Sequence, residues 1–266
     1  MRLLGSGLRK LLRRPATWIT GALVAGIMAL VFIALGATIN MSTVPEVQRA
    51  ALRLLLQFPG AYAYIVSEII STGGLFLVAF AAAVAGSEWQ WGTLKAAVAR
   101  GESRSRYMVL TLAAVALIVG VVVLVSFVAS VAGALAGAAM GGISSGTLLD
   151  RDALLGLPEQ LLRAWLALTE VLAIGFAVAT LTKSQLAGVG AGVALFIGEQ
   201  FATLVLPDVI KYFPFNAASA VVGRTAIEGI TTATLPPNQA LLVTALWLLG
   251  ALALIVVATE RAEITG

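Results

Sequence analysis

The sequence predicts an all-α membrane protein with six transmembrane helices, and two observations lead to this fold class. First, 60% of the 266 residues are hydrophobic and 11% are charged, whereas an average soluble domain is about 45–50% apolar and about 25% charged. Second, continuous apolar runs long enough for a helix to cross a hydrocarbon core of about 30 Å occur six times. The runs are residues 18–39, 64–86, 108–139, 161–181, 186–206 and 239–259. We therefore treat residues 1–266 as a single transmembrane domain.

The composition also narrows the chemistry that the chain can perform. Histidine and cysteine are both absent, which excludes disulfides, thiol nucleophiles, Ser-His-Asp triads, imidazole metal sites and iron–sulfur clusters. The sequence contains no G-x-x-x-x-G-K-[ST] phosphate-binding loop. We therefore expect no enzyme activity, no metal and no cofactor in this chain. The net charge of +4 bears on membrane orientation, and we expect no nucleic acid as a partner.

Residues 2–14 predict an amphipathic helix ahead of the first run. Leucines and cations occupy opposite halves of its helical wheel: Leu3, Leu4, Leu8, Leu11 and Leu12 against Arg2, Arg9, Lys10, Arg13 and Arg14. This division is typical of a helix lying in the membrane interface, with its cations toward anionic lipid headgroups. A basic flank of the first span with no further role is the alternative. We expect Pro15 to end the helix, because the residue before a proline disfavours helical geometry.

The placement of Lys and Arg predicts the orientation of the spans. With the N-terminus in the cytoplasm, the cytoplasmic segments carry eleven of these residues and the outer segments carry six. Since short cytoplasmic loops are enriched in Lys and Arg, we expect a multi-pass protein of the bacterial plasma membrane with both termini cytoplasmic. Residues 46–58 show a second amphipathic pattern and are expected to form a helix on the outer surface.

Two segments fit neither a plain span nor a plain loop. The third run is about half as long again as a straight crossing requires, so it tilts, breaks near Gly120, Gly133 or Gly137, or leaves the membrane as a Gly/Ala-rich stretch. Gly133 and Gly137, with Gly141, also share one helix face, where backbones pack closely. Residues 207–238 mix apolar and polar residues and contain four prolines. Apolar pieces too short to cross predict a re-entrant region on the outer side, and a folded outer loop is the alternative.

The cytoplasmic loop after the second run, residues 87–106, carries the most specific pattern in the chain. Trp91, Leu94 and Val98 share one face of a predicted short helix, and Gly101 precedes a return rich in serine and arginine. Such a loop forms a compact protrusion to which a cytoplasmic partner could bind.

The sequence of this loop resembles a motif of the permeases of type-2 ABC exporters. The motif has the form Glu-Trp-x-x-Gly-Thr-Leu-Lys, followed by Ser-Arg-x-Arg at the start of the third span. The matching residues are Glu88, Trp89, Gly92, Thr93, Leu94 and Lys95, then Ser103, Arg104 and Arg106. The basic N-terminal helix, the six spans and the re-entrant region before the last span resemble the layout of the same family over the full length.

The resemblance implies the membrane subunit of a transporter that moves a hydrophobic or amphipathic substrate outward, of the drug, lipid or peptide class. Two permease subunits, identical or different, would face each other in the membrane lipids. Each would rest on a separate ATP-binding cassette ATPase subunit, which would hold ATP and Mg. The loop at 87–106 would be the coupling helix that fits into the ATPase, and the N-terminal helix would lie beside it.

The resemblance also implies roles for individual residues of the loop. The expected ATPase-coupling residues are Glu88, Trp89, Trp91, Gly92, Thr93, Leu94, Lys95, Arg100, Arg104 and Arg106. Among them we expect Glu88 to be a local charge contact or helix N-terminal cap, Trp89 and Trp91 to be interfacial anchors, and Gly92 to be a point of close approach. The three arginines contact either the ATPase or the lipid headgroups.

Three glutamates lie within or near the apolar runs: Glu68, Glu170 and Glu199. An ionisable group at this depth costs several kcal/mol and needs a partner or water. One interpretation is a hydrated translocation path that favours cationic or polar groups, and the other is hydrogen bonding between helices. If these glutamates carry protons or ions, the alternative function is an ion-gradient-driven secondary transporter. An intramembrane enzyme would lack the His and Cys residues that its chemistry commonly uses.

Overall fold

A computed structural model describes residues 2–223 and 234–262, which are helical over most of their length. Within these ranges the structure has twelve α-helices and one π-helical segment. They are α1 (Arg2–Leu12), α2 (Pro15–Ile39), α3 (Glu46–Leu56), α4 (Gly60–Glu68), the π segment (Ile69–Gly73), α5 (Gly74–Gln90), α6 (Thr93–Ala99), α7 (Arg104–Met140), α8 (Arg151–Thr182), α9 (Gln185–Val205), α10 (Pro207–Ile210), α11 (Pro214–Ala220) and α12 (Pro237–Glu260).

The predicted all-α membrane fold class is confirmed. Six of the described helical stretches are long and apolar enough to cross a membrane. One of them is the continuous stretch Gly60–Gln90, which comprises α4, the π segment and α5; the other five are α2, α7, α8, α9 and α12. Each predicted run overlaps one of these stretches. The largest difference is at α8, which begins at Arg151 rather than near residue 161 because the Asp150 side chain caps it, accepting a hydrogen bond from the Ala153 N–H at 2.9 Å.

The long third run forms one uninterrupted helix, α7, of 37 residues. At 1.5 Å per residue it is about 55 Å long, which exceeds the roughly 40–45 Å of a bilayer with its headgroups. A break near Gly120, Gly133 or Gly137 is therefore wrong. A tilt of the helix and an exit of its Gly/Ala-rich end from the membrane both stay open.

The glycines of α7 pack against α2. A Cβ atom at Gly133 would meet the backbone of Ala29, and one at Gly36 would meet the backbone of Gly137. The two helices are therefore in backbone contact, as small residues at matched positions allow. This glycine face is used within the chain, so it does not serve as a surface for a second copy.

The N-terminal segment differs from its prediction in one detail. Helix α1 ends at Leu12, and Pro15 is the first residue of α2 rather than the terminator of α1. Proline is favoured at this position because the N–H it lacks would have no partner within the helix. Helix α1 packs on α7. Leu11 is buried, and a Cβ added at Gly7 would lie 3.4 Å from the Cβ of Ala114.

One end of the bundle gathers four segments that the charge count placed on the same side. We call residues 2–14, 87–106, 182–185 and 260–262 the loop end. The Arg104 guanidinium donates a hydrogen bond of 2.8 Å to the carbonyl of Ala262, and the Ser105 N–H donates one of 3.3 Å to Glu260. A Cβ at Gly86 would meet the backbone of Gln185, which places the start of α9 here as well.

The opposite end holds α3 and the segments between α7 and α8. The N–H of Phe58 donates to the carbonyl of Ser145 at 2.8 Å, and the Tyr62 hydroxyl donates to the carbonyl of Leu148 at 2.6 Å. Helix α3 occupies most of the amphipathic segment predicted at 46–58.

The described parts of the predicted re-entrant region 207–238, which are residues 207–223 and 234–238, lie at this same end. It contains α10, α11 and the start of α12, while residues 224–233 lie outside the described part of the chain. Helix α11 is buried against α8, α9 and α12. The short apolar piece that it forms is therefore packed into the bundle.

Candidate functional site

The best-defined polar cluster in the described residues surrounds the buried carboxylate of Glu88, the last acidic residue of α5. The ammonium of Lys10 forms an ion pair with it, and the guanidinium of Arg14 lies 3.6 Å away. The hydroxyls of Tyr107 and Thr93 both donate hydrogen bonds to it, the former at 2.7 Å. One carboxylate therefore joins α1, α5, α6 and α7. Of the two expected roles of Glu88, the structure has the charge contact rather than the helix cap, because the residue before α6 is Gly92.

Lys10 is central to this cluster. Its ammonium also donates to the Tyr107 hydroxyl at 3.2 Å. Burial lowers the pKa of Lys10 below its ordinary value, while the charge of Glu88 and the hydrogen bond to it act in the opposite direction. Because the Lys10 side chain is partly buried, the opposite charge of Glu88 stabilises its ammonium, and the ion pair links α1 to the loop.

Arg14 forms a second connection from the N-terminal segment to the loop. Its guanidinium donates a 3.0 Å hydrogen bond to the Ser87 hydroxyl and lies 4.9 Å from the ring centre of Trp91. This distance is within the range of a cation–π contact. Arg9 and Arg13, the other predicted interface cations with described side chains, are exposed.

The loop of residues 87–106 contains the end of α5, a turn at Gly92 and the short helix α6. Helix α5 ends at Gln90, and Gly92 adopts a positive φ of 65° immediately before α6. A Cβ at Gly92 would have no neighbour within 4 Å. No part of the described chain approaches Gly92 closely, and the position needs glycine for its left-handed backbone. Close approach of a partner at Gly92 stays a prediction.

Helix α6 is anchored on one side and exposed on the other. Leu94 and Ala97 are buried against the bundle. Trp91, which the helical wheel grouped with Leu94, is 66% exposed and lies outside α6. Lys95 and Arg100 are also exposed. The protrusion therefore presents an aromatic ring and cations, while its aliphatic residues fix it to the protein.

The remaining loop residues have separate positions. Trp89 is partly buried, and the Lys183 ammonium lies 5.4 Å from its ring centre. Arg104 is tied to the end of α12 by its bond to Ala262, whereas Arg106 is exposed. The Ser103 hydroxyl accepts from the Arg106 N–H and thereby caps α7.

The three glutamates of the apolar helices differ in their burial and in their hydrogen-bond partners. Glu170 is fully buried in α8, and its two carboxyl oxygens have no hydrogen-bond partner within the described part of the chain. Glu199 in α9 is close enough to Glu170 to interact with it electrostatically. Glu68 is partly buried at the end of α4, and the Thr72 hydroxyl, within the π segment, donates to it.

Glu199 has an evident structural role. It accepts hydrogen bonds from the backbone N–H of Phe215 at 3.3 Å and from the backbone and side-chain amides of Asn216, both at 3.0 Å. These donors belong to the first turn of α11, whose N–H groups have no partner within the helix. Glu199 therefore fixes α11 to α9.

A protein-family model matches residues 22–265, which is most of the chain. The chain belongs to the family described as protein of unknown function (DUF2705). The matched residues include Glu88, the whole of α6 and all three apolar glutamates, and they begin after α1. No curated protein matches the chain.

Sequence reasoning missed several contacts of this DUF2705 protein. Tyr107 completes the Glu88 cluster, and Lys183 lies over Trp89, yet neither was singled out. Tyr107 did carry a signal, because a hydroxyl-bearing aromatic stands at the junction of a basic segment and an apolar run. The pairing of Lys10 with Glu88 spans 78 positions and has no local signature.

Proposed function

We propose that this chain is the membrane permease subunit of a type-2 ABC exporter, with ATP hydrolysed by a separate subunit. It would lie in the bacterial plasma membrane with its loop end in the cytoplasm. A second permease subunit would complete the path for a hydrophobic or amphipathic substrate. The loop segment that carries the family-like motif would transmit movement from the ATPase.

The observation that carries the proposal is that the loop of residues 87–106 is buried at its base and exposed at its tip. A coupling element converts the motion of a partner into motion of spans, so it has to be rigid at its base and accessible at its tip. The base is fixed by Glu88 and Leu94, both buried, and the tip exposes Trp91. Aromatic and cationic side chains of this kind are enriched at protein interfaces.

The charge distribution supports the assigned side. The segments of the loop end carry most of the lysines and arginines of the chain, including Arg9, Arg13, Arg100 and Arg106 at exposed positions. Short loops with this excess lie in the cytoplasm, where an ATPase has access to them.

The test is purification of the tagged protein from its native membranes in mild detergent, followed by an assay of Mg²⁺-dependent ATP hydrolysis. The variant W91E/K95E reverses the character of the exposed tip and leaves Leu94 and Glu88 in place. The matched control is V47E, which places a charge on an 86% exposed valine of α3 at the opposite end. We expect an ATP-binding subunit to accompany the wild type and V47E, and to be lost from W91E/K95E.

Two results of this experiment would contradict the proposal. If the wild type purifies alone and no ATP hydrolysis accompanies it, the exporter proposal fails. If W91E/K95E retains the ATPase as well as V47E does, residues 87–106 are not its docking site.

One observation favours the alternative of an ion-gradient-driven carrier: the carboxyl of Glu170 is fully buried and has no hydrogen-bond partner among residues 2–223 and 234–262. Such groups commonly mark proton or ion pathways in membrane proteins. In proteoliposomes this carrier would move protons down an imposed gradient without ATP, and E170Q would abolish the movement. Proton flux that is equal in E170Q and in the wild type would exclude this role.

A further inference from the structure

A cavity of about 280 Å³ opens at the loop end between α1, α6 and α7. Its walls have two characters. Leu3 of α1 and Leu110 of α7 contribute apolar surface, while Lys10 of α1 and Arg100, the residue after α6, contribute cations. An occupant that matches both walls has an anionic part and an apolar part.

The cationic wall is only partly neutralised within the protein. Lys10 uses two of its three ammonium hydrogens for Glu88 and Tyr107, so its third has no partner among the residues that the structure describes. Arg100 is exposed and forms no ion pair with residues 2–223 or 234–262. Glu88 is the one carboxylate in ion-pair distance of Lys10 and Arg14 within the described residues, so its single charge is shared between two cations.

The apolar wall lies where a lipid headgroup meets its chains. Helix α1 has the leucine and cation faces of an interfacial helix, and α7 becomes continuously apolar after Tyr107. Gly7 and Ala114 bring α1 and α7 into contact on one side of the cavity. A ligand in it would therefore contact both the interfacial helix and the transmembrane helix.

We propose that this cavity binds one anionic phospholipid, with its phosphate against Arg100 and Lys10 and the first part of its chain along Leu3 and Leu110. Guanidinium and ammonium groups are the usual protein partners of phosphate oxygens. The bound lipid would bridge α1 and α6 and add to the link that Glu88 provides. This site belongs to the chain alone and does not depend on the exporter assignment.

The experiment measures lipid binding to the purified, delipidated full-length chain in mild detergent by native mass spectrometry. Phosphatidylglycerol and phosphatidylcholine with identical acyl chains are titrated in parallel. We expect one phosphatidylglycerol to bind each chain more tightly than any phosphatidylcholine. R100Q should weaken this binding about fivefold, as loss of one cation near anionic lipid does. The matched control R106Q removes an exposed cation at the same end that does not line the cavity, and it should bind like the wild type.

A second pair of variants tests the cavity without changing charge. A96F fills it, because Ala96 lines the wall, whereas A99F adds the same ring at an exposed position of α6 that does not. We expect A96F alone to lose the tight phosphatidylglycerol. Equal binding of the two lipids, or equal loss in R100Q and R106Q, would overturn the proposal. Competition by inorganic phosphate or glycerol phosphate would also overturn it, since the site would then select a soluble anion rather than a lipid.

Discussion

Replacing Glu88 by glutamine tests whether one carboxylate joins the N-terminal helix to the loop. Glutamine keeps the shape of the side chain and removes its charge. The hydroxyls of Tyr107 and Thr93 retain an acceptor, whereas the Lys10 ammonium and the Arg14 guanidinium lose their counter-charge. The perturbation therefore isolates the electrostatic part of the cluster.

The structure sets the size of the effect. Hydrogen bonds to a charged group contribute about 1.5–3 kcal/mol and neutral ones about 1 kcal/mol, so the change weakens each of three bonds by about 1 kcal/mol. Removal of one partner from a fully buried pair costs about 3–5 kcal/mol. The side chains of Lys10 and Arg14 remain 29% and 18% exposed and regain some hydration. We expect E88Q to lower the free energy of unfolding by about 2–3 kcal/mol.

Two measurements check this expectation. Unfolding titrations in mixed micelles give the change in free energy, and E159Q is the matched control. Glu159 is 67% exposed and pairs with Arg163 one helical turn away at 2.6 Å, so its loss should cost less than about 0.5 kcal/mol. Because the chain has no cysteine, spin labels at R9C and A99C report the distance between α1 and α6 directly.

The distance distribution should be narrow in the parent protein and broad in E88Q, since α1 loses its ionic attachment. If E88Q unfolds within about 0.5 kcal/mol of the parent and its distribution is unchanged, the carboxylate does not hold the two helices together. The buried apolar contacts of α1 would then be sufficient.

Three further predictions concern packing and backbone geometry. G36A should destabilise the protein by at least about 2 kcal/mol in the same titration, because the added Cβ meets the backbone of α7. G26A should be neutral, because a Cβ added there meets no other described part of the protein within 4 Å. E199Q should lower the thermal midpoint by weakening the attachment of α11, and E170Q should leave it unchanged or raised, because no described partner is lost. G92A should cost about 1 kcal/mol and G92N less, since asparagine tolerates a positive φ better than alanine.

The number and type of the long helices were predictable because hydropathy and length are local properties of the sequence. Their ends were less predictable. The first turns of α8 are polar enough to hide from a hydropathy window, although Asp150 has the ordinary signature of a helix cap. The continuity of α7 was undetermined because glycine in a membrane helix is compatible with a break as well as with close packing. The partner that decides it, Gly36, lies in another helix.

The orientation of the loop residues shows a second limit. A helical wheel drawn through Trp91 and Leu94 places them on one face, but a wheel assumes an unbroken helix. The helix is interrupted between the two residues, because Gly92 has a positive φ. Leu94 consequently points into the bundle, and Trp91 lies outside beside Arg14. The residues of the loop could be read from the sequence, but the division between buried anchor and exposed tip depended on one backbone angle.

The Glu88 cluster also determines which parts of the bundle would respond to a force on the protrusion. A displacement of α6 acts on Tyr107 at the start of α7 through the shared carboxylate, and on Arg14 at the start of α2 through the same group. Helices α2 and α7 are themselves in backbone contact through Gly36 and Gly137. These two spans therefore form one mechanical unit with the loop. If the chain couples to an ATPase, we expect this pair to move together against α8 and α9.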